Sequence, residues 1–584
     1  MTAPHYRGQN RWIDTEDGFI GAAWYWPRSV AASTAVVLVP GIAHEERTMS
    51  GGLVALAEAL ADAGLPALLM DLHGCSQSAG RLDDENIGAR WEADIKAAVR
   101  HARETGAERI IVVGVRLGFP LAAEALTDEP LAALVAWAPI VSGKRYVREL
   151  KVLQSTADAD EAGTIAIGGF SFPRAVLERI AALDLAQIAV PDASCVMMRE
   201  MTEGLYAPWL ARLSERGMIV QEQVSTQIHP WLFGGKDQPE LPHEDINGLA
   251  RWCRALHDQQ STDSERAPVA PAPRPVIEFL HQGRPVRETF VEIGLSRLTG
   301  VLSEPVGPHN GHAVRLMVST VGPGRAFADF ARDEAARGNT SLRFDFAGFG
   351  TSGRGDAVQG GELYSDEGSR DVQAAIEYLR EAGYRHIYSL GFCAGAWSMI
   401  QGGNAPELRA AVAINVALYR QPNPPPPRFA KRTREGLAKA ALMKKIAARI
   451  RHKTSRRREP VEWLIRLCGT DARVLLAYAD VDPGLVYLNG QMAKGFRENL
   501  RQPFDVQIYA GLGHLADGTS ARSRLFTDIG KFFAGLDHDS ALGTATRYAS
   551  TSVSESSSAT ASDPIRRNSP TPANATSGRT GWTQ

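Results

Sequence analysis

The chain has 584 residues, of which 44% are hydrophobic and 22% charged, with a formal net charge of −2. This composition is typical of a globular protein and excludes collagen, coiled coil and global disorder. No apolar run reaches the length of a membrane span, and the start lacks a signal-peptide core. The five cysteines are scattered and without CxxC spacing, so we expect no disulfide framework, no zinc site and a cytoplasmic location. The charge balance does not indicate nucleic-acid binding.

Two segments have the composition of non-globular chain. The segment 258–275 (DQQSTDSERAPVAPAPRP) is polar and then rich in Pro and Ala, which favours an extended linker. The last forty or so residues are rich in Ser, Thr and Pro with almost no large aliphatic residues, so we predict a disordered tail over 538–584. Two domains are predicted between these segments and the start of the chain, at 10–257 and 276–537.

The predicted elements of the two blocks follow the same order. In the first block, strand VVLV is followed by helix LVALAEALADAG, strand PALLMD, helix WEADIKAAVRHARETG and strand RIIVVG. In the second block, strand RLMVST is followed by helix FADFARDEAARG, strand TSLRFD, helix SRDVQAAIEYLREAG and strand HIYSLG. Alternating strands and helices predict an α/β fold with a mostly parallel sheet covered by helices on both faces. The matching order predicts a tandem duplication.

The last strand of the second series ends in Gly-Phe-Cys393-Ala-Gly. This is the nucleophile elbow of α/β hydrolases with Cys in place of Ser, and the helix behind it favours the thiolate form. A buried structural cysteine beside a tight turn is the alternative. Further on, strand DARVLLAYAD precedes Asp482, with Asp480 as the fallback, and strand FDVQIYA precedes His514. The order of nucleophile, acid and histidine predicts that Cys393 attacks, His514 transfers the proton and Asp482 orients the imidazole.

An oxyanion hole is expected from two backbone amides. One is that of Ala394, directly after the nucleophile, and we assign the other to Val321 in the loop after the first strand of this block. The familiar His-Gly pair is missing from that loop.

The first block has Arg116 at the corresponding elbow, Gly-Val-Arg-Leu-Gly, and arginine cannot be a nucleophile. Glu200, His229 and His243 follow the later strands without the sequence context seen in the second block. Arg116 is therefore predicted either to bind an anion at a helix N-terminus or to mark a decayed site kept as scaffold.

A basic insert is predicted at about 420–465, in the position where this fold often carries a helical cap. Residues 428–459 contain 13 Lys or Arg and two Glu, a net charge of +11 against −13 for the rest of the chain. A narrow apolar stripe (Leu442, Met443, Ile446, Ile450) predicts a basic amphipathic helix. Such a helix indicates peripheral contact with an anionic membrane or a polyanionic substrate, and a solvated cap helix is the alternative.

Together these motifs resemble two known families. The second block is similar to the exosortase A system-associated hydrolase of type 1, through FDFAGFGTSG, the elbow GFCAGA and the basic insert. The first block resembles the type 2 hydrolase of the same system, through DLHGCSQSAG, GVRLG and the WAPIVSGK segment. The resemblance implies a fusion of the pair and a role in bacterial exopolysaccharide production. Ala394 stands where the type 1 family commonly has an acidic residue.

The sequence predicts an esterase- or thioesterase-like hydrolase that uses an acyl-cysteine intermediate and no cofactor. Its substrate would be a small-molecule, lipid-linked or glycan-linked acyl compound. The alternatives are an acyltransferase that decorates a polysaccharide precursor, a non-catalytic binding scaffold, and a peptidase, which a Cys elbow disfavours.

Overall fold

The computed structural model describes residues 8–84, 86–154, 163–191, 193–200, 204–233, 240–262, 266–307, 313–353, 363–418, 460–492, 500 and 504–555. Residues up to Gly530 form one compact unit, and those from Lys531 form a second. The first unit contains two large sheets, one before and one after the segment 258–275. We call the two parts of this unit the N-terminal half (8–262) and the C-terminal half (266–530). The domain boundaries given above remain predictions.

The N-terminal half contains an eight-stranded sheet in the order β1-β2-β4-β3-β5-β6-β9-β10, with a separate hairpin of β7 and β8. Strand β2 pairs antiparallel with β1 and β4, whereas the pairs from β4 to β10 are parallel. The strands are β1 (Gln9–Thr15), β2 (Gly18–Tyr25), β3 (Thr34–Val39), β4 (Ala67–Met70), β5 (Arg109–Val115), β6 (Leu131–Trp137), β7 (Thr164–Ile167), β8 (Phe170–Pro173), β9 (Ala193–Glu200) and β10 (Ile219–Val224). The helices are α1 (His44–Asp62), α2 (Ile87–Glu104), α3 (Gly118–Ala125), α4 (Gly143–Lys151), α5 (Arg174–Ala182), α6 (Ala207–Glu215), α7 (Ile228–Phe233) and α8 (His243–Gln260).

Helices cover both faces of this sheet, because the central strands are apolar on both sides. All six residues of β3 are buried. Val37 packs in a cluster with Trp91 of α2, whereas its neighbour Val36 packs in another cluster with Leu53 of α1. Successive side chains of a strand point to opposite faces, so one short apolar run contributes to two cores.

The C-terminal half contains a nine-stranded sheet in the order β11-β12-β13-β15-β14-β16-β17-β18-β19. After its first strand, this order repeats that of the N-terminal sheet. The two mostly parallel sheets confirm the predicted fold class. The strands are β11 (Val276–His281), β12 (Arg284–Ile293), β13 (Leu298–Pro305), β14 (Ala313–Val318), β15 (Thr340–Phe344), β16 (His386–Phe392), β17 (Leu408–Ile414), β18 (Arg473–Ala479) and β19 (Asp505–Tyr509). The helices are α9 (Ala326–Ala336), α10 (Asp366–Glu381), α11 (Ala394–Gly402), α12 (Pro460–Leu467), α13 (Pro483–Met492) and α14 (Thr519–Glu555).

A buried ionic network joins the two halves. Burial alone would raise the pKa of Glu288 on β12, but Arg332 and Arg343 lower it to about 2. Arg343 reaches the N-terminal half by donating to the side-chain oxygen of Gln77 at 2.7 Å, and Arg332 donates to the carbonyl of Ser78 at 3.0 Å. Buried charges need pairing of this kind, so the loop after β4 is fixed against the C-terminal sheet.

The segment 258–275 lies along the N-terminal half where it is described. The amide of Val269 donates to the carbonyl of Thr105 at 2.8 Å, and the amide of Trp12 donates to the carbonyl of Arg274 at 3.1 Å. These bonds attach the extended segment to the half that precedes it.

Most of the predicted basic insert, residues 419–459, lies outside the described residues. Helix α12 (Pro460–Leu467) follows directly. The C-terminal tail, predicted to be disordered over 538–584, is helical in its first part, because α14 continues to Glu555. Residues 556–584 lie outside the described residues. None of the helices in the described part of the chain is long and apolar enough to cross a bilayer.

Candidate active site

Cys393 occupies a strained turn between β16 and α11. Its φ of 51° is in the left-handed region, which costs energy for a residue with a side chain. A Cβ atom on Gly391 would lie 2.6 Å from the Cα atom of Ala396, and one on Gly395 would lie 3.1 Å from the side chain of Val318. The flanking glycines therefore allow the close backbone approach that presents Cys393 at the carboxyl end of the sheet.

The structure brings together the three residues predicted to form a triad. The Sγ atom of Cys393 lies 3.6 Å from Nε2 of His514, and Nδ1 of His514 lies 2.6 Å from Oδ2 of Asp482. Asp482 is buried and its Oδ1 atom accepts a bond from the amide of Gly484 at 2.6 Å. The fallback acid, Asp480, is exposed.

The surroundings of His514 favour its protonated form. The hydrogen bond to Asp482 and, next, the contact with Cys393 raise the pKa of His514 to about 10. An imidazolium next to a cysteine stabilises the thiolate, which is the nucleophilic form. At neutral pH the arrangement therefore favours an imidazolium at His514, directly next to Cys393.

Asn415, which the sequence analysis did not identify, holds the acid and histidine segments together. It follows β17 with a φ of 47° and is fully buried. Its Nδ2 atom donates to the carbonyls of Gly513 at 3.0 Å and His514 at 2.8 Å. Its Oδ1 atom accepts from the amide of Ala479, at the end of β18, at 2.8 Å. One side chain thus fixes the backbone on both sides of the Asp482–His514 contact.

Tyr364 is a second residue that sequence reasoning missed. Its hydroxyl lies 3.0 Å from the Sγ atom of Cys393. The ring is held edge-on to Trp397 of α11, which in turn meets Trp463 of α12 edge-on. Tyr364 has a φ of 61° and directly precedes Ser365, the N-cap of α10, so its position is fixed from both sides.

The two predicted oxyanion donors line the same cavity as Cys393 and His514. Ala394 is the first residue of α11, and the first amides of a helix have no partner within it. Val321 lies in the loop after β14, where its amide is 3.4 Å from the hydroxyl of Ser319 and the amide of Gly322 is 3.1 Å from the same oxygen. Ser319 therefore competes with any oxyanion at this loop.

The loop that carries Val321 is fixed through its neighbour Thr320. The amide and the hydroxyl of Thr320 donate to the two carboxylate oxygens of Asp345, at 2.8 and 2.7 Å. The carbonyl of Thr320 accepts from Arg343 at 2.6 Å. Because the same Arg343 nitrogen also binds Gln77, the loop is connected to the N-terminal half.

Arg116, at the elbow of the N-terminal half, meets carboxylates of the chain itself. Its Nε atom donates to Glu45 at 2.9 Å, and an Nη atom lies 3.4 Å from Glu149. Glu45 also accepts from the hydroxyl of Tyr146 at 2.8 Å. Arg116 is only 5% exposed, and its guanidinium lies over the rings of Tyr146 and Phe233. His229 and His243 are both exposed.

No protein-family model matches the chain. An uncharacterized protein of Mycobacterium tuberculosis, found in two strains, is 30% identical over 138 residues, which is 23% of this chain. The chain spans about half the length of these curated relatives.

Solved α/β hydrolases resemble about half of the chain. An α/β serine hydrolase without a lid from Xanthomonas campestris is 13% identical, covers 46% of this chain and all of its own, and has a TM-score of 0.30. Est1E of Butyrivibrio proteoclasticus, with ferulic acid bound, is 15% identical, covers 43% of this chain and 98% of its own, and has a TM-score of 0.31. A thioesterase domain from the curacin biosynthetic pathway is 14% identical, covers 42% of this chain and 99% of its own, and has a TM-score of 0.27.

Proposed function

We propose that the C-terminal half hydrolyses an ester or thioester through an acyl-cysteine intermediate on Cys393. The observation that carries this proposal is the continuous contact from Cys393 through His514 to the buried Asp482. A nucleophile, a base and an orienting acid in sequence are what nucleophilic acyl transfer requires. The strained elbow supports the proposal, because strain of this kind is concentrated at functional sites.

In the first step, the thiolate of Cys393 attacks the acyl carbon of the substrate and a C–S bond forms. The tetrahedral intermediate collapses, the bond to the leaving oxygen or sulfur breaks, and His514 gives the proton on Nε2 to the leaving group. In the second step, His514 takes a proton from water, which attacks the acyl-cysteine. The carboxylic acid product leaves and Cys393 is restored.

The negative oxygen of each tetrahedral intermediate requires donors. The amide of Ala394 is the first, and the amide of Val321 is the second once the Ser319 hydroxyl turns away. We assign a third donor role to Tyr364. In the resting site its hydroxyl can donate to the thiolate, and this bond is released when the sulfur becomes part of a thioester. The hydroxyl can then donate to the oxygen that develops next to the sulfur.

Two finer assignments follow the family resemblance of the sequence. The system that it implies would place the reaction in bacterial exopolysaccharide production, in the cytoplasm. If a sugar hydroxyl replaced water in the second step, the same site would transfer the acyl group to a polysaccharide precursor.

Peripheral contact with an anionic membrane through residues 428–459 is a further proposal. It predicts sedimentation with anionic liposomes that weakens as salt rises.

Mass spectrometry of the intact protein after incubation with short-chain acyl thioesters tests the proposal. We expect one added acyl group, located on Cys393 by peptide mapping and absent from Cys393→Ala. Cys75, Cys253 and Cys468 are buried and serve as internal controls for nonspecific acylation. Full turnover of esters and thioesters by Cys393→Ala would show that the cysteine is not the nucleophile.

A further inference from the structure

The cavity at Cys393 is shared by the two halves. It has a volume of about 2180 Å³, and its lining includes Cys393 and His514 from the C-terminal half and Arg116 and Tyr146 from the N-terminal half. Sites for small molecules usually measure about 300–1,000 Å³. The substrate of this cavity is therefore expected to extend well beyond the reacting group.

Exposed apolar side chains are concentrated on the N-terminal side of this cavity. Val152 and Leu153 follow α4, Leu205 precedes α6, and Phe233 ends α7. All four line the cavity, with exposed fractions from 40% to 83%. We call these four residues the apolar wall. Leu515, next to His514, is also exposed and lines the same cavity. Apolar surface that remains exposed around a cleft indicates a binding site, because it is otherwise costly to leave in water.

The two arginines that line the cavity are paired within the protein. Arg116 binds Glu45, and Arg145 lies 3.1 Å from Glu149. Arg116 is also covered by the ring of Phe233, which belongs to the wall. A guanidinium that already has a carboxylate partner contributes little to the binding of an anion. The wall thus favours a hydrocarbon group over an acidic one.

We propose that the apolar wall binds the hydrocarbon chain of a long-chain acyl ester or thioester whose carbonyl carbon lies at Cys393. This inference rests on the proposed function and specifies its substrate class. It also gives the N-terminal half a role in the reaction without a nucleophile of its own, since that half supplies the surface that selects the acyl chain.

The test compares chain-length preference in two variants. One replaces Val152, Leu205 and Phe233 with Ser, and the matched control replaces Leu280 and Leu295, two exposed residues outside the cavity, with Ser. Because all five side chains are exposed, neither variant is expected to unfold. We measure kcat/KM on p-nitrophenyl esters from two to twelve carbons.

In the wild type, each added methylene is expected to raise kcat/KM by up to about fourfold, which is the gain from burying one such group. The wall variant is expected to lower the ratio of dodecanoyl to acetyl activity by at least about tenfold, whereas the control variant should leave this ratio unchanged. A flat chain-length profile in the wild type, or an equal loss in the control variant, would overturn the proposal.

A binding measurement separates this proposal from the mechanism. Calorimetric titration of Cys393→Ala with the dodecanoyl ester should give an affinity at least about tenfold higher than that of the same protein with the wall substitutions. Equal affinities would refute the wall. Loss of affinity on wall substitution, combined with no acylation of wild-type Cys393, would support the wall and refute the proposed nucleophile.

Discussion

In both halves the residue at the elbow has a positive φ, 51° at Cys393 and 52° at Arg116. The similarity of the halves extends to single hydrogen bonds. In each half an aspartate directly follows one strand, β4 or β15. The serine seven residues later accepts a hydrogen bond from a backbone amide of β2 or β13. In each, an aspartate on the next helix binds an amide of the same loop. The corresponding bonds are Gly21 to Ser78 and Thr299 to Ser352, and His73 to Asp94 and Ala347 to Asp371.

The halves differ in what the elbow side chain contacts. Cys393 meets His514 and Tyr364, which can both move protons, and it faces an open cavity. Arg116 is surrounded by Glu45, Glu149 and two aromatic rings, which complete its pairing. The same strained turn can therefore present a reactive group or close a buried ion pair. Fold alone does not decide between these outcomes, and the side chains around the elbow do.

The largest expected effect is on activity, and it should be confined to one half. Cys393→Ala should lower kcat by at least about 10⁴-fold because the proposed nucleophile is lost, and adding His514→Ala should lower it little further. The unfolding temperature of Cys393→Ala should stay near that of the wild type. Measurable hydrolysis by the N-terminal elbow would appear as activity that persists in Cys393→Ala and is lost in Arg116→Ala, and it would break the comparison.

The second expected effect is on stability, in the other half. Arg116→Met removes the partner of the buried Glu45 and should lower the free energy of unfolding by about 3–5 kcal/mol. Denaturant unfolding followed by circular dichroism measures this change. Adding Glu45→Gln should restore much of the loss, because the carboxylate is then no longer an unpaired buried charge. If the single and double variants are equally unstable, the ion pair is not what Arg116 provides.

The third effect concerns pH. Asp482 is the largest cause of the raised pKa of His514, so Asp482→Asn should let this pKa fall from about 10 toward its ordinary value of 6.5. His514 is protonated at pH values below its pKa and loses the proton above it, so a raised pKa extends the imidazolium form to higher pH. The alkaline limb of kcat/KM should therefore move to lower pH, with a loss of about 10²–10³-fold at neutral pH. Asp480→Asn is the control and should leave the limb in place.

Much of this arrangement could be predicted from the sequence, and the exceptions have physical reasons. Cys393, Asp482 and His514 each follow an apolar strand, so their place at one edge of the sheet depends only on strand order. Tyr364 and Asn415 carry no such signal, because their importance arises from contacts with residues distant in sequence. Helix α1 begins at His44, nine residues before the predicted stretch. The earlier start was not predicted, because the two acidic residues of the first turn resemble a solvated loop in sequence.

The ionic network between the halves was also not predicted. Arg332 lies on a helix and Arg343 on a strand, and in sequence a charged residue at either position indicates a solvated face. Both are buried because each pairs with Glu288 and binds Gln77 in the loop after β4, Arg332 through the carbonyl and Arg343 through the side-chain oxygen. Sequence periodicity describes each half by itself and does not reveal which of its surfaces the other half covers.

Tyr364→Phe tests the third oxyanion donor. Removal of one such donor should lower kcat by about 10²-fold while KM changes little, since the bond strengthens only in the transition state. Tyr378→Phe on α10 is the matched control. The rate of Cys393 alkylation by iodoacetamide as a function of pH separates the two roles of the hydroxyl. If Tyr364→Phe leaves kcat unchanged but alters the pH dependence of the alkylation rate, the hydroxyl acts on the thiolate and not on the oxyanion.

The smallest expected effect tests whether the N-terminal half positions the site that the other half carries. Arg343 donates from one nitrogen to Gln77 and to the carbonyl of Thr320, next to the proposed donor Val321. Gln77→Ala removes one partner, but Glu288 still binds Arg343 at 2.6 Å, so the loop should shift without unfolding. We expect kcat to fall by about three- to tenfold, with KM nearly constant, because loop position matters most for the oxyanion. Asn10→Ala is the control, since it removes a bond to Thr299 across the same interface without contact to Arg343. Equal losses of kcat in both variants would assign the effect to the interface as a whole, and a loss confined to Gln77→Ala would show that the two halves share one catalytic site.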